Sequence, residues 1–390
     1  MLQAARLVIL IMGFNLAVEF PFNAFAGIVS AYVRYDLLEL SHLLTLVLST
    51  GLTVLFLKAG YGIITLAIIG FVCAQISNVI YYGLSRYLFK GMQLGRQYFK
   101  RERIRELFGY SVWTFVIQLG DQLRLKLQSL VIAWMMTVSA VTHYSIGAGL
   151  AGYFLGLLFR ATNILTPVFT RYHAQDNYDE MRSKLLFMTK INTIFSVFGG
   201  GWIILVGRPF ILRWMGSNYL DAYPVLVALM IAMIFEAIHN PSNNVLYAIS
   251  KHRYLAWVNI VEGVANLGLS LLLVRRWGIL GVALGTTIPL MVSRLFVLPA
   301  YVCRSIGLSL AKYYLNIAAT SAYTVSYLAL FAVIAKRVLV VPEYKSLFLL
   351  SVSVLPLYAM IVLFVLFNKS ERALLWSMVG MRRGSSSSSA

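Results

Sequence analysis

The chain has 390 residues, of which 60% are hydrophobic and only 12% are charged, and its formal net charge is +19. This composition excludes an ordinary soluble globular protein. The apolar runs last about twenty residues or more, which predicts membrane-spanning helices rather than the alternating ten-residue strands of a membrane barrel. Most Lys and Arg lie in short loops between these runs, so topology and anionic lipid explain the charge better than nucleic acid does.

The first part of the chain predicts three spanning helices. The opening run stays apolar to near Arg34 and lacks the basic start and cleavage site of a signal peptide. Glu19 and Pro21 interrupt it, and a carboxylate satisfied by a neighbouring helix is as good an explanation of Glu19 as a transport role. Two more spans are predicted at about His42–Leu57 and Tyr61–Leu84.

A basic segment at Arg86–Glu106 follows these helices. It is dense in Lys and Arg and contains no apolar run long enough to span a membrane. The positive-inside rule places such a segment in the cytoplasm, where it is predicted to form an interfacial helix between two halves of the protein.

The next span, Val112–Thr137, carries three charged residues near its middle: Asp121, Arg124 and Lys126. Each ionised side chain at the centre of a bilayer costs about 2.5–3.5 kcal/mol, which indicates a wet or protein-lined cavity. The alternative is a structural ion pair between Asp121 and Arg124, which lie three residues apart. Lys126 lies about 140° around the helix from Asp121, so it needs another partner or water.

The rest of the chain predicts seven more spans, for about eleven in total. They are Thr142–Val168, Leu185–Val206, Tyr223–Ile249, Tyr254–Val274, Ile279–Tyr301, Tyr314–Ala335 and Leu347–Phe367. With Arg86–Glu106 inside, strict alternation also places inside Arg34, Arg171–Lys190, Lys251–Arg253, Arg304–Lys312 and Lys369–Arg383. The C-terminus is therefore predicted to be cytoplasmic, after a low-complexity polar tail.

Sequence motifs of common enzymes are absent. The chain contains no P-loop, no His-Glu-x-x-His pair and no Gly-x-Ser-x-Gly elbow. Its two cysteines, Cys73 and Cys303, show no spacing typical of a disulfide framework or a metal site. We therefore predict no catalytic residues, no metal and no cofactor, and a protein that is not an enzyme.

The polar residues at membrane depth are candidates for a transport pathway. Arg124, Lys126 and Arg160 outnumber the single carboxylate, Asp121, on the two helices around 112–168. A cationic cavity suits an anionic passenger such as a pyrophosphate or an acidic sugar, because Arg and Lys form charge-assisted hydrogen bonds with phosphate. The other polar groups at this depth are Glu236, His239, Asn240, Glu262, Asn266 and Arg294.

Four stretches carry a resemblance to a known family. They are ELFGYSVWTFVIQLGDQLRLKLQSLVIAWMMTVSAVTHYSIGAGL at 106–150, NILTPVFTRYHAQDNYDEM at 163–181, RPFILRWMGSNYLDAYPVLVAL at 208–229 and VNIVEGVANLGLSLLLVRRWGILGVALGTTI at 258–288. In order and spacing they resemble the polysaccharide biosynthesis, or O-antigen-type oligosaccharide flippase, branch of the multidrug, oligosaccharidyl-lipid and polysaccharide exporter superfamily.

The resemblance implies two six-helix lobes around a central cavity and two C-terminal helices. We expect a partial N-terminal lobe at 1–85, a basic linker at 86–108, a six-helix lobe at 109–303, two more helices at 304–370 and a polar tail at 371–390. Only three helices precede 112 where the family has six. A late start, a truncated chain and a half-size first lobe are equally consistent with this difference.

The function that the resemblance implies is flipping of lipid-linked oligosaccharide or polysaccharide precursors, including those of lipopolysaccharide, across a bacterial inner membrane. Arg124, Lys126 and Arg160 would bind the polyprenyl-pyrophosphate-linked oligosaccharide, and Asp121 would hold the Arg side chain when the site is empty. Glu236 and Glu262 are the candidate ion-coupling residues. Membrane lipids and polysaccharide assembly proteins are the expected partners.

Two other functions remain open at this stage. An ion-coupled multidrug or cation antiporter of the same superfamily would need a carboxylate-lined cavity, which the excess of cations near 124–160 disfavours. A membrane-embedded glycan ligase or polymerase would need a large extracytoplasmic loop, and the outward loops are short.

Overall fold

The computed structural model describes most of the chain. The described residues are 2–32, 34–92, 127–162, 166–335, 344–367 and 371–372. Between 92 and 127, residues 95, 101–102, 108, 111–112 and 115–116 are also described. Within these residues the regular structure is helical, without a strand. They belong to two compact units, Met1–Arg103 and Ile104–Ala390. The predicted all-α fold of a polytopic membrane protein is confirmed.

The first unit is a three-helix bundle of α1 (Leu2–Ala31), α2 (Tyr35–Lys58) and α3 (Ile63–Leu88). All three helices are long and apolar enough to cross a membrane, as the sequence predicts. They expose many large apolar side chains, which suits helices that face lipid.

Polar side chains join α1 to α3. The Gln75 amide of α3 donates a hydrogen bond to Asn15 Oδ1 of α1 at 3.0 Å, and Asn15 donates to Glu19 at 3.4 Å. Asn78 donates in turn to Gln75 at 3.1 Å. Such bonds hold apolar helices together because water is absent in the hydrocarbon region. Glu19 therefore has a structural partner within this unit.

The second unit contains a helical segment at 127–135 and eight further helices among its described residues. These are α4 (Val138–Thr162), α5 (Thr166–Ala174), α6 (Tyr178–Met215), α7 (Ala222–Ala248), α8 (His252–Val292), α9 (Leu298–Ile306), α10 (Leu310–Ala335) and α11 (Tyr344–Ile361). Short π-helical turns follow α8 at Ser293–Val297 and α11 at Val362–Leu366.

A glycine divides α8 into two antiparallel halves. Gly278 has a non-helical backbone (φ 56°, ψ −135°), and this positive φ favours glycine over other residues. Two glycines of the second half lie close to the first half: a Cβ atom on Gly281 would lie 2.3 Å from the Leu273 carbonyl oxygen, and one on Gly285 would lie 2.3 Å from Ser270 Oγ. The small residues after Gly278 therefore permit close packing of the two halves.

The number of spans can be compared with the eleven predicted. Seven helices among the described residues are long and apolar enough to cross a membrane. One is the continuous run His252–Ile306, which contains both halves of α8 and so corresponds to two predicted spans. The middle of the predicted span at Val112–Thr137, residues 117–126, lies outside the described residues. The finer division of the chain into linker, lobe and added helices stays a prediction.

A proline in α7 determines how α7 binds α6. Pro241 lies inside α7 and has no backbone N–H, so the carbonyl of Ala237, four residues earlier, loses its intrahelical donor. The Asn192 amide of α6 donates to that carbonyl at 2.8 Å. A side chain of one helix thus replaces the hydrogen bond that proline removes from the next.

Replacing Asn192 with leucine should destabilise the protein, since the Ala237 carbonyl would be left buried without this donor. The expected loss is about 1–3 kcal/mol, the cost of an unsatisfied buried polar group. Thermal unfolding of the purified protein in detergent measures it. Phe195→Leu, at an exposed position of the same helix, is the matched control, and equal unfolding temperatures for the two variants would contradict the assignment.

Candidate functional site

Three charged side chains form a cluster in the interior of the second unit. Glu236 of α7, Glu262 of the first half of α8 and Arg294 of the following π-helical turn are each only 2–3% exposed. Arg294 Nε and Nη2 donate to the two carboxylate oxygens of Glu236 at 2.6 and 3.2 Å. Arg294 Nη1 donates to Glu262 Oε1 at 2.8 Å. We call these three residues the Glu-Arg-Glu cluster.

The π-helical turn at Ser293–Val297 brings two consecutive residues to this cluster. Ser293 Oγ donates to Glu262 Oε1, the same oxygen that Arg294 contacts. Arg294 Nη1 also donates to Ser293 Oγ at 3.0 Å. A π-helical turn widens the helix by one residue and is common at functional sites. Here it accompanies a serine and an arginine that bind one carboxylate together.

The cluster contains two carboxylates and one guanidinium in a buried place. Moving each ion out of water costs several kcal/mol, which is recovered only with well-formed hydrogen bonds to an opposite charge. The guanidinium of Arg294 meets this condition with both carboxylates. With both glutamates ionised, the three side chains by themselves carry a formal charge of −1.

A neutral hydrogen-bond network lies next to the cluster on α7. His239, one turn after Glu236, is paired through Nδ1 with the Tyr313 hydroxyl of α10 at 2.8 Å. The same hydroxyl lies 3.0 Å from Ser242 Oγ. The charges of Arg294 and Glu236 both act on the His239 ring. The polar interior therefore extends from α8 through α7 to α10.

A second polar layer follows the face of α8 that carries Glu262. Asn266 Oδ1 accepts hydrogen bonds from Ser270 Oγ at 3.0 Å and from Thr286 Oγ1 at 3.4 Å. Gln128 Nε2 donates to Thr286 Oγ1 at 3.1 Å. Glu262, Asn266 and Ser270 recur every four residues, which places them on one face of the helix. That face meets the second half of α8 rather than lipid.

The side chains predicted to bind the passenger are not among those that the structure describes. Asp121, Arg124 and Lys126 lie outside the described residues. Arg160 belongs to α4, but its side chain is also outside the described part. The cationic substrate site therefore stays a prediction. Among the described residues, no group of three or more His, Cys, Asp and Glu is arranged to hold a metal ion.

The two predicted ion-coupling residues, Glu236 and Glu262, lie together around Arg294. The sequence marks all three as charged groups at membrane depth but does not pair them, because Arg294 is 58 residues from Glu236 and 32 from Glu262. Ser293 and Tyr313 were not predicted. The one signal in the sequence for this cluster is that two acidic residues and one basic residue at membrane depth each require a buried partner.

Comparisons with known proteins agree with this architecture. Residues 3–224 match the family described as "Polysaccharide biosynthesis protein". Over 205 residues the chain is 21% identical to the "Uncharacterized membrane protein EpsK" of Bacillus subtilis (strain 168), a stretch that covers 52% of this chain and 41% of EpsK. The chain thus spans less than half the length of that curated relative.

A solved structure has a similar fold. The "Lipid II flippase MurJ, inward closed conformation" matches 93% of this chain and 75% of its own, with a TM-score of 0.67 and 15% identity. At this identity the likeness shows the fold alone.

Removing Arg294 should destabilise the second unit strongly. Arg294→Met leaves Glu236 and Glu262 buried without their shared cation, at an expected cost of about 3–5 kcal/mol. The triple variant Glu236→Gln, Glu262→Gln, Arg294→Met removes the charges together and should recover most of this loss. Thermal unfolding of both variants tests the cluster, and a triple variant as unstable as Arg294→Met would show that charge pairing is not the cause.

Proposed function

The chain belongs to the polysaccharide biosynthesis protein family, and we propose that it moves a lipid-linked oligosaccharide or polysaccharide precursor across a bacterial inner membrane. The family match over residues 3–224 carries this proposal. The apolar spanning helices and the transporter fold agree with it. Transport would proceed by alternating access, in which helix bundles rock around a central site while the polyprenyl tail stays in lipid.

The proposed passenger is anionic. Arg124, Lys126 and Arg160 would contact the pyrophosphate or acidic sugars, and Asp121 would hold the Arg124 guanidinium when the site is empty. The support is chemical, because three cations against one carboxylate at membrane depth favour phosphate over a cationic drug. Membrane lipids and polysaccharide assembly proteins are the proposed partners, and the C-terminus is proposed to be cytoplasmic.

The Glu-Arg-Glu cluster is the proposed coupling site. Its carboxylates would take up a proton or a monovalent cation on one side of the membrane and release it on the other. Both carboxylates share Arg294, so neutralising either one changes the strength of the bond to the other. A small ion can thus alter the packing of α7 against α8 without reaching the passenger.

The orientation of lipid-linked precursors in cells tests the proposed function. Deleting the gene from its source bacterium should cause polyprenyl-linked oligosaccharide to accumulate on the cytoplasmic face, because its movement outward would be blocked. Expression of residues 1–390 should relieve the accumulation. Labelling of the outward-facing sugars in intact cells measures both results.

Other outcomes of this experiment would favour other functions. Unchanged precursors with increased sensitivity to dyes or drugs would indicate the antiporter. Normal outward exposure of the precursor with loss of the finished polymer would indicate a ligase or polymerase. Either result would contradict the flippase.

Arg124→Ala tests the proposed passenger site. Loss of this cation should lower export of an anionic precursor at least tenfold, since each charge-assisted bond to phosphate contributes about 1.5–3 kcal/mol. Protein abundance in the membrane should not change. Arg101→Ala, at an exposed position of the basic segment, is the matched control, and normal export by Arg124→Ala would remove Arg124 from the site.

A further inference from the structure

A cavity of about 700 Å³ opens at one end of the second unit, away from the Glu-Arg-Glu cluster. It lies where the first turns of α6 and the short Gly307–Ser309 connection meet the start of α10. Cavities of this size commonly hold small molecules or lipid head groups. The segments at this end are Arg171–Lys190 and Arg304–Lys312, which the positive-inside rule assigns to the cytoplasm.

Polar contacts join the elements around this cavity. Arg182 Nη1 binds Asp179 at 2.7 Å, and its Nε donates to the Ile306 carbonyl at 2.6 Å. Lys190 binds Glu371 at 2.8 Å. These contacts join α6 to the end of α9 and to a residue after α11, so the cavity is a built part of the fold.

Gly307 lets Arg182 take this position. Its φ of +67° favours glycine, and a Cβ atom there would lie 3.1 Å from the guanidinium of Arg182. The chain thus turns tightly beside Arg182 and leads into α10.

Two cations of the lining, Lys184 and Lys312, form no ion pair with a carboxylate among the described residues. Glu180 also lines the cavity and attracts Lys184 from beyond ion-pair distance. The lining therefore has two cations against one carboxylate outside the ion pairs. Lys184 Nζ lies 5.7 Å from the centre of the Phe187 ring, and its partly buried side chain is held near one wall.

Apolar side chains complete the lining. Leu186, Phe187 and Leu308 form an apolar wall next to the two lysines. A ligand that fits both parts carries an anionic group and a hydrocarbon portion. Free polar metabolites would leave the apolar wall without a partner.

We propose that this cavity binds the phosphate of a membrane lipid, with Lys184 and Lys312 contacting the phosphate oxygens and the apolar wall contacting the adjoining carbons. Lipid-borne phosphate has two sources: an anionic glycerophospholipid of the cytoplasmic leaflet, or the polyprenyl pyrophosphate of the precursor. The second source rests on the proposed function, whereas the first does not.

Lipid binding by the purified full chain tests the proposal. Native mass spectrometry in a neutral detergent would measure affinity for phosphatidylglycerol, polyprenyl pyrophosphate and inorganic phosphate separately. The variant Lys184→Gln, Lys312→Gln should bind lipid phosphate about 25-fold more weakly, the combined effect of two lysines near an anionic lipid surface. Lys58→Gln, Lys90→Gln changes the same charge at exposed positions outside the cavity and should bind normally.

Each outcome decides one question. Weaker binding of phosphatidylglycerol by the cavity variant identifies the glycerophospholipid as the source, and weaker binding of polyprenyl pyrophosphate alone identifies the precursor. Lys184→Arg, Lys312→Arg keeps both charges and should restore binding, which separates charge from folding. Equal binding by the cavity and control variants, or tighter binding of inorganic phosphate than of either lipid, would overturn the proposal.

The two proposals fail separately. A negative result for precursor orientation in cells would remove the transport function without altering binding of phosphatidylglycerol by the purified protein. Loss of lipid binding with normal transport would remove the lipid site alone.

Discussion

A single guanidinium holds together the charged interior of the second unit. Arg294 is almost fully buried and binds carboxylates from two helices, Glu236 of α7 and Glu262 of α8. Neither carboxylate is stable in a dry interior without such a partner, so the position of α7 against both halves of α8 depends on it. Packing of apolar side chains alone does not discriminate among rotations of these helices in lipid, because lipid chains are as apolar as leucine.

Elsewhere in the unit, neutral polar side chains satisfy buried polar groups of neighbouring helices. Where Pro241 removes a backbone donor from α7, Asn192 of α6 supplies one. Where Thr286 approaches the first half of α8, Asn266 accepts a hydrogen bond from the Thr286 hydroxyl. Gly285 makes that approach close enough. Small residues thus bring helices near each other, and polar side chains then fix their register.

Much of this architecture could be predicted because hydropathy depends on local sequence. Short stretches of sequence indicate the positions of α1 to α3 and the break near Gly278. Hydrogen-bond partners cannot be predicted in this way, because they are distant in sequence. Asn192 binds the Ala237 carbonyl, and His239 binds Tyr313, which is 74 residues away. Nothing local distinguishes these partners from other polar residues at the same depth.

The two polar systems of the chain differ in composition, and this difference bears on how transport would be driven. Around 121–160 the sequence has three cations and one carboxylate, whereas the Glu-Arg-Glu cluster has two carboxylates and one guanidinium. A ligand shifts a conformational equilibrium only by its difference in affinity for the two states. Under the proposed function, an anionic passenger and a small cation would bind separate groups, so neither would compete with the other. Their coupling would then depend on whether α7 and α8 keep Arg294 between both glutamates in each state.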